Sequence, residues 1–226
     1  MARPSQNIDQ RLLEAGRRLL PDLGCAALSV RRLAAEAGVN AGMFHYHFRT
    51  KDVFLQALLQ STYDDMFARL QPAASAESSS VTENLRRALN IIARFVRDNR
   101  RLMLRLLTDA VSGEKLAADF LRANMPRHIA VVAELMDTAR HQGRLAAIAP
   151  EQMIGFTIGA IGMPIIVGAA FETGQLPPMP ALAHFASETL SDDAIAQRID
   201  LALAALSVAI HDDSAAASRG SASAGK

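Results

Sequence analysis

Residues 38–48 read GVNAGMFHYHF, and the way that stretch divides decides the fold. It crowds His45, Tyr46 and His47 together in a 226-residue chain that is only 5% aromatic, and it contains no acid. A metal site, a catalytic centre and a nucleic-acid contact surface are all open readings, and the flanking residues choose among them. Upstream, Val30, Leu33, Ala34 and Ala37 fall at i, i+3, i+4, i+7, the stripe of an amphipathic helix beginning after Ser29. Gly38 ends that helix, because glycine readily takes the left-handed conformation needed just past a C-terminus. Asn40 caps a short helix over about 41–47, in which Phe44 and Phe48 share the buried side while Met43 and His47 share another. A helix, a turn of Gly38, Val39 and Asn40, and a short second helix make a helix-turn-helix, whose second helix enters the DNA major groove.

The starts of these helices favour an external anion. A helix N-terminus leaves amides without internal partners and prefers negative charge nearby. After Ser29, however, come Val30, Arg31 and Arg32; after Asn40 come Ala41, Gly42 and Met43; after Thr50 comes Lys51, with Asp52 the one compensating acid. Basic and neutral first turns make sense if phosphates lie across them. The expected DNA-binding set is therefore Ser29, Arg31, Arg32, Asn40, Ala41, Gly42, Met43, His45, Tyr46, His47, Thr50 and Lys51. Gly42 allows close backbone approach, Ala41 and Met43 suit thymine methyls, and Tyr46 and His47 suit phosphates or base edges. Charge points the same way: residues 1–51 hold eight Lys or Arg against four acids, a balance of +4 that leaves −3 for the remainder.

No metal or cofactor is expected. His45 and His47, two apart, point to different sides of a helix, no acid or cysteine joins them, and HExxH is absent. No nucleophile constellation, glycine-rich phosphate loop or paired-carboxylate motif stands out either, so a non-enzymatic role is expected. The lone Cys25 excludes an internal disulfide, and MARPSQNIDQ has no signal-peptide character, so a cytoplasmic location is expected.

The rest of the chain also reads as helix. A first helix covers about 8–20 and is stopped by PDLG at 21–24; another runs from behind Thr50 to about Leu70; QPAASAESSS at 71–80 has the composition of a linker. Helices follow from about Val81, around Leu102–Leu107, over about 114–141 with Pro126 as a point of kinking, and from Pro150. The last fills about 188–211, and residues 213–226 read as a disordered tail. From Gln152 to Phe171 no residue is charged, which is long enough to span a bilayer. Glu151 and Glu172 at its edges, the missing basic flank and Pro164 favour a buried helix instead, with no membrane partner. Gly155 and Gly159, with Gly162 beyond, offer a surface of small residues for close helix contact, whether in the core or between subunits.

The run SVRRLAAEAGVNAGMFHYHFRTKDVFLQALL, residues 29–59, resembles the DNA-binding domain of the TetR family of bacterial transcriptional repressors, and the likeness extends from about Ile8 to Leu59. Its carriers are Ser29-Val30, Leu33-Ala34, Ala37-Gly38-Val39, Gly42, Phe44, His47-Phe48 and Lys51. His45 stands where the family usually has tyrosine, and Ala41 where a basic residue is frequent. The resemblance implies an all-α chain of about nine helices: a three-helix helix-turn-helix domain at 1–50 and a larger ligand-binding and dimerisation domain at 51–212. It further implies DNA-backbone contacts from His47 and Lys51, a homodimer joined by the last two long helices, and an unidentified small-molecule effector that releases a double-stranded DNA operator. Leu102, Met103, Leu106, Leu107, Met125, Phe156 and Met163 are the candidate ligand-binding residues. The alternative is a DNA-associated dimer whose second domain binds a protein partner; a closed cavity favours the first reading, a filled core with an exposed apolar patch the second.

Overall fold

The computed structural model describes residues 8–77 and 79–208, and no β-strand occurs among them. The helices are α1 (Ile8–Ala27), α2 (Val30–Ala37), α3 (Ala41–Phe48), α4 (Lys51–Ala74), α5 (Val81–Asp98) and α6 (Arg100–Val111). They continue with α7 (Lys115–His141), α8 (Pro150–Thr157), α9 (Met163–Glu172), α10 (Phe185–Leu190) and α11 (Asp192–Val208). A π-helical turn, Ile158–Gly162, joins α8 to α9 in one rod. Pro164 has no N–H for an i→i−4 bond, and just before it the pattern widens, with Met163 N–H donating to Ile158 O.

Three boundaries differ from those expected. α1 runs through Pro21 and is broken at Gly24, the last residue of PDLG, where φ 73 and ψ 174 are not helical; a short helical turn beyond it reaches Ala27, with Leu20, Gly24, Cys25 and Leu28 buried. α4 continues through Pro72 to Ala74, and the linker-like segment after it is tied down: Asn84 Nδ2 donates to Ala76 O at 3.1 Å, and Arg87 donates to Ser79 Oγ. The helix expected over about 114–141 is α7, Lys115–His141, which Pro126 does not divide. The final helix begins at Asp192, because Ser191 is extended (φ −66, ψ 157) and its hydroxyl accepts the Ala194 N–H at 3.1 Å. That break leaves α10 as an additional short helix. The expected tail, 213–226, lies outside the described residues.

The chain divides into two compact units, and the division is not a single cut. The first comprises residues 1–67 and 99–126, the second residues 68–98 and 127–226. The core of the first unites Leu12, Ala15, Leu20, Leu33, Phe44, Phe54, Leu58 and Leu106. α1 and α4 approach so closely there that a Cβ on Gly16 would lie 2.7 Å from both Leu58 Cδ2 and Phe54 Cζ, so any larger residue would push those buried side chains aside. In the second unit α5 packs on α11, burying Leu85, Ala88, Leu89 and Ala93 with Ile195, Ile199, Ala202, Leu203 and Leu206. Charges rim that seam: Arg86 pairs with Asp200, and Arg97 and Arg94 with Asp192, whose carboxyl Arg97 holds below the usual carboxylate range.

Candidate nucleic-acid interface

Each helix start around the turn is capped by its own side chain. Ser29 Oγ accepts the Arg32 N–H at 3.3 Å, Asn40 Oδ1 the Met43 N–H at 3.0 Å, and Thr50 Oγ1 the Val53 N–H at 3.2 Å. Each cap satisfies one amide, so other first-turn amides stay available to an outside acceptor. Neither α2 nor α3 has an acid in its first turn, while α4 has Asp52. Gly38, at φ 64, ends α2 in a Schellman arrangement: Val39 N–H donates to Ala34 O at 2.9 Å and Gly38 N–H to Ala35 O at 3.1 Å. Arg11 reaches across from α1, its Nη2 donating to Ala37 O at 2.6 Å and Gly38 O at 3.0 Å.

Phe44 and Phe48 anchor α3 from beneath. Both are buried, and their rings meet Phe54 at centroid separations of 5.4 and 5.0 Å. That leaves Ala41, Gly42, His45 and Tyr46 exposed on the other side, with Tyr46 77% exposed, and Met43 and His47 half-covered. Ser29, Arg31, Arg32 and Thr50 are exposed as well. The structure thus brings the expected DNA-binding residues to one helix-turn-helix and the helix start after it.

Three of them are less free than their types suggest. His47 packs edge-on against Tyr46 at 5.2 Å, and its Nε2 is enclosed without a hydrogen bond. His45 Nδ1 lies 3.0 Å from Arg49 O, one helical turn ahead, so the ring serves its own helix end. Lys51 Nζ donates to Cys25 O at 3.0 Å and Ala26 O at 3.1 Å, answering the bare carbonyls at the end of α1. An ammonium has three N–H donors, so Lys51 retains one beyond these two bonds.

The end of α1 is held from a second side by α6. Asp109, buried, accepts the Cys25 N–H at 2.9 Å through Oδ2, while its Oδ1 lies 3.0 Å from Arg105 Nε. Arg105 Nη2 donates to Leu23 O at 3.1 Å, and the guanidinium occupies the place of a side chain on Gly24, whose Cβ would sit 2.2 Å from Nε. The thiol of Cys25 is pushed up to about 12, first by burial and then by the Asp109 carboxylate. Sequence reasoning missed Arg11, Arg105 and Asp109 because their partners lie 26 to 84 residues away, where no local spacing signals the contact.

Of the residues expected to line a ligand pocket, five lie in the first unit and two in the second. Leu102 and Leu106 are buried in the core that α6 shares with α1, and Met103 packs against it. Leu107 and Met125, in the same unit, are 37% and 38% exposed. Phe156 and Met163 belong to the second unit and are 44% and 49% exposed. Among the described residues no group of three or more His, Cys, Asp or Glu is placed to hold a metal ion.

Comparison with known proteins follows this geometry. Residues 12–58 match the family described as bacterial regulatory proteins, tetR family. A curated relative, the HTH-type transcriptional repressor KstR2 of Mycolicibacterium smegmatis, is 31% identical over 78 residues, which is 34% of this chain and 38% of that protein. The TetR family transcriptional regulator PfmR from Thermus thermophilus shares the fold with a TM-score of 0.63 at 20% identity, over 85% of this chain and 97% of its own. FadR from Bacillus subtilis, solved in complex with stearoyl-CoA, gives a TM-score of 0.61 at 12% identity, over 89% and 99%.

Proposed function

For a chain that matches the tetR family of bacterial regulatory proteins, we propose the role of a ligand-responsive, DNA-binding transcriptional regulator, acting as a repressor. One observation carries this reading: a helix-turn-helix whose recognition helix, α3, lacks a first-turn acid and leaves Ala41, Gly42, His45 and Tyr46 exposed, with Arg31 and Arg32 exposed on α2. Residues 1–50 form the DNA-reading module of this proposal, and 51–212 the ligand-binding and dimerising one. Phosphates bind at the starts of α2, α3 and α4, and base edges meet Ala41, Met43 and Tyr46.

A homodimer presents two such helices to half-sites related by two-fold symmetry, about 34–36 Å apart. The rod Pro150–Glu172 and α11 supply the self-contact. Phe156, Met163 and Leu201 are 44%, 49% and 63% exposed, and a Cβ on Gly155, Gly159 or Gly162 would meet nothing within 4 Å. Large apolar side chains beside open glycines favour a closely approaching second helix, which supports a subunit contact. A small-molecule effector releases DNA only if it prefers the dimer conformation that cannot reach both half-sites.

Selection of bound sequences from random double-stranded DNA tests the reading. The expected result is a symmetric site, whose complex is then screened for release by small molecules. Because one neighbour of the fold was solved with stearoyl-CoA, acyl-CoA compounds belong in that screen. Failure to enrich any symmetric sequence would contradict a sequence-specific regulator.

A further inference from the structure

Arg49 stands between α3 and α4 with φ 57 and ψ −58, the only non-glycine residue of positive φ among the described residues. Thr50 N–H donates to Phe48 O across it at 2.5 Å, closing a γ-turn of the rare, strained hand. Glycine would hold this backbone at lower cost. Strain of this kind persists where the surroundings over-determine it, and it clusters at functional sites.

The surroundings here are specific. On one side Phe48 is buried edge-on against Phe54, and on the other the Thr50 hydroxyl is committed to the Val53 N–H. Arg49 N–H donates to His45 O at 3.1 Å, finishing α3. The remaining restraint is the His45 ring, with Nδ1 3.0 Å from Arg49 O; a carbonyl only accepts, so Nδ1 carries the proton. The Arg49 side chain itself is exposed and makes no hydrogen bond or ion pair among the described residues. An arginine at a position that suits glycine, held by Phe48, Thr50 and His45 yet giving its guanidinium no hydrogen bond or ion pair among the described residues, is explained by a partner outside the protomer.

We propose that His45 and Arg49 work as a pair at the DNA backbone: the ring latches the γ-turn, and the turn presents the guanidinium to a phosphate beside the recognition helix. This rests on the reading of α3 as that helix. A guanidinium stays charged, and its forked donors match phosphate oxygens. His45 suits the complementary task. With Nδ1–H given to Arg49 O, the ring is committed to its own helix end, whereas the Arg49 guanidinium is exposed. Arg49 is therefore the contact, and His45 is the positioning residue.

The full chain and a fluorescent mixed-sequence duplex, titrated by anisotropy between about 50 and 200 mM salt, test the pair. Arg49→Gly is expected to raise Tm, to bind about tenfold more weakly and to lower the salt slope by about one, the signature of one lost phosphate contact. Arg49→Lys keeps the slope. His45→Phe weakens binding several-fold in the natural background but by less than about twofold beside Arg49→Gly, because the latch then has nothing to present. Unchanged affinity and slope in Arg49→Gly would overturn the proposal. So would losses that multiply in the double variant, which would make His45 a contact in its own right. If the unaltered chain fails to bind the duplex at the lowest salt, the regulator reading itself fails, an outcome distinct from either of those.

Discussion

Lys51 Nζ lies 3.0 Å from Cys25 O and 3.1 Å from Ala26 O, so the first residue of α4 closes the end of α1. The same side chain stands at the helix start where a phosphate is proposed to dock. Lys51→Ala is therefore expected to act twice. Urea unfolding should show a loss of about 1 kcal/mol, since half-exposed, charge-assisted bonds contribute modestly. Duplex affinity should fall alike for all sequences, and unchanged affinity at several salt concentrations would remove the phosphate role.

Asn40 holds the front of α3 with one bond, Oδ1 to the Met43 N–H at 3.0 Å. Asn40→Ala is expected to cost about 1 kcal/mol of stability. Hydrogen exchange at the Met43 amide should accelerate, whereas Asn40→Ser should restore most of the protection. Equal exchange in all three chains would show that the cap contributes little.

Ala41 and Met43 lie on the part of α3 that faces bases in this account. Replacing either is expected to reorder the preferred sequences in an operator library rather than to weaken all binding uniformly. A preserved ranking would place base reading elsewhere on the helix.

Cys25 has a pH signature. Burial keeps its thiol protonated to about 12 in the folded chain, against 9.0 for an ordinary thiol. The unfolded chain therefore releases this proton first, and the associated stability, present below pH 9.0, is lost as the pH rises towards about 12. Cys25→Ala lacks that component, so the stability difference between the two chains should hold steady to about pH 9 and then shrink. A difference that stays constant up to pH 11 would show that the thiol is not protected.

A Cβ on Gly159 would meet nothing within 4 Å beyond its own helix backbone, and Leu201 is 63% exposed. Gly159→Leu and Leu201→Glu are each expected to leave the helical circular dichroism intact while light scattering shows the dimer weakened. A dimer of undiminished strength in both variants would move the self-contact off this face.

Local signals made the helix-turn-helix legible in the sequence. Ser29, Gly38, Asn40 and Thr50 each stand at a helix end their own chemistry favours, and the spacing of Phe44 and Phe48 gives the buried side of α3. What escaped was decided at long range. Pro21 and the PDLG sequence read as a stop, and the helix does break at Gly24, but burial of Leu20, Cys25 and Leu28 moves that break past residue 20 and adds a further helical turn to Ala27. Leu102 and Leu106 suit a core as well as a pocket by residue type, and the packing of α6 against α1, which buries both, has no local signal in the sequence. The positive φ of Arg49 has no sequence signal, because glycine or asparagine, the usual marks of that backbone, are absent there.

The central claim is that α3 reads DNA as one of a symmetric pair. Hydroxyl-radical footprinting of the full chain on a duplex selected from random sequence tests it most directly. The account predicts two protected patches related by a two-fold axis, about 34–36 Å apart, that fade together in His45→Phe and Arg49→Gly chains. A single patch, or protection that ignores changes in α3, would contradict it.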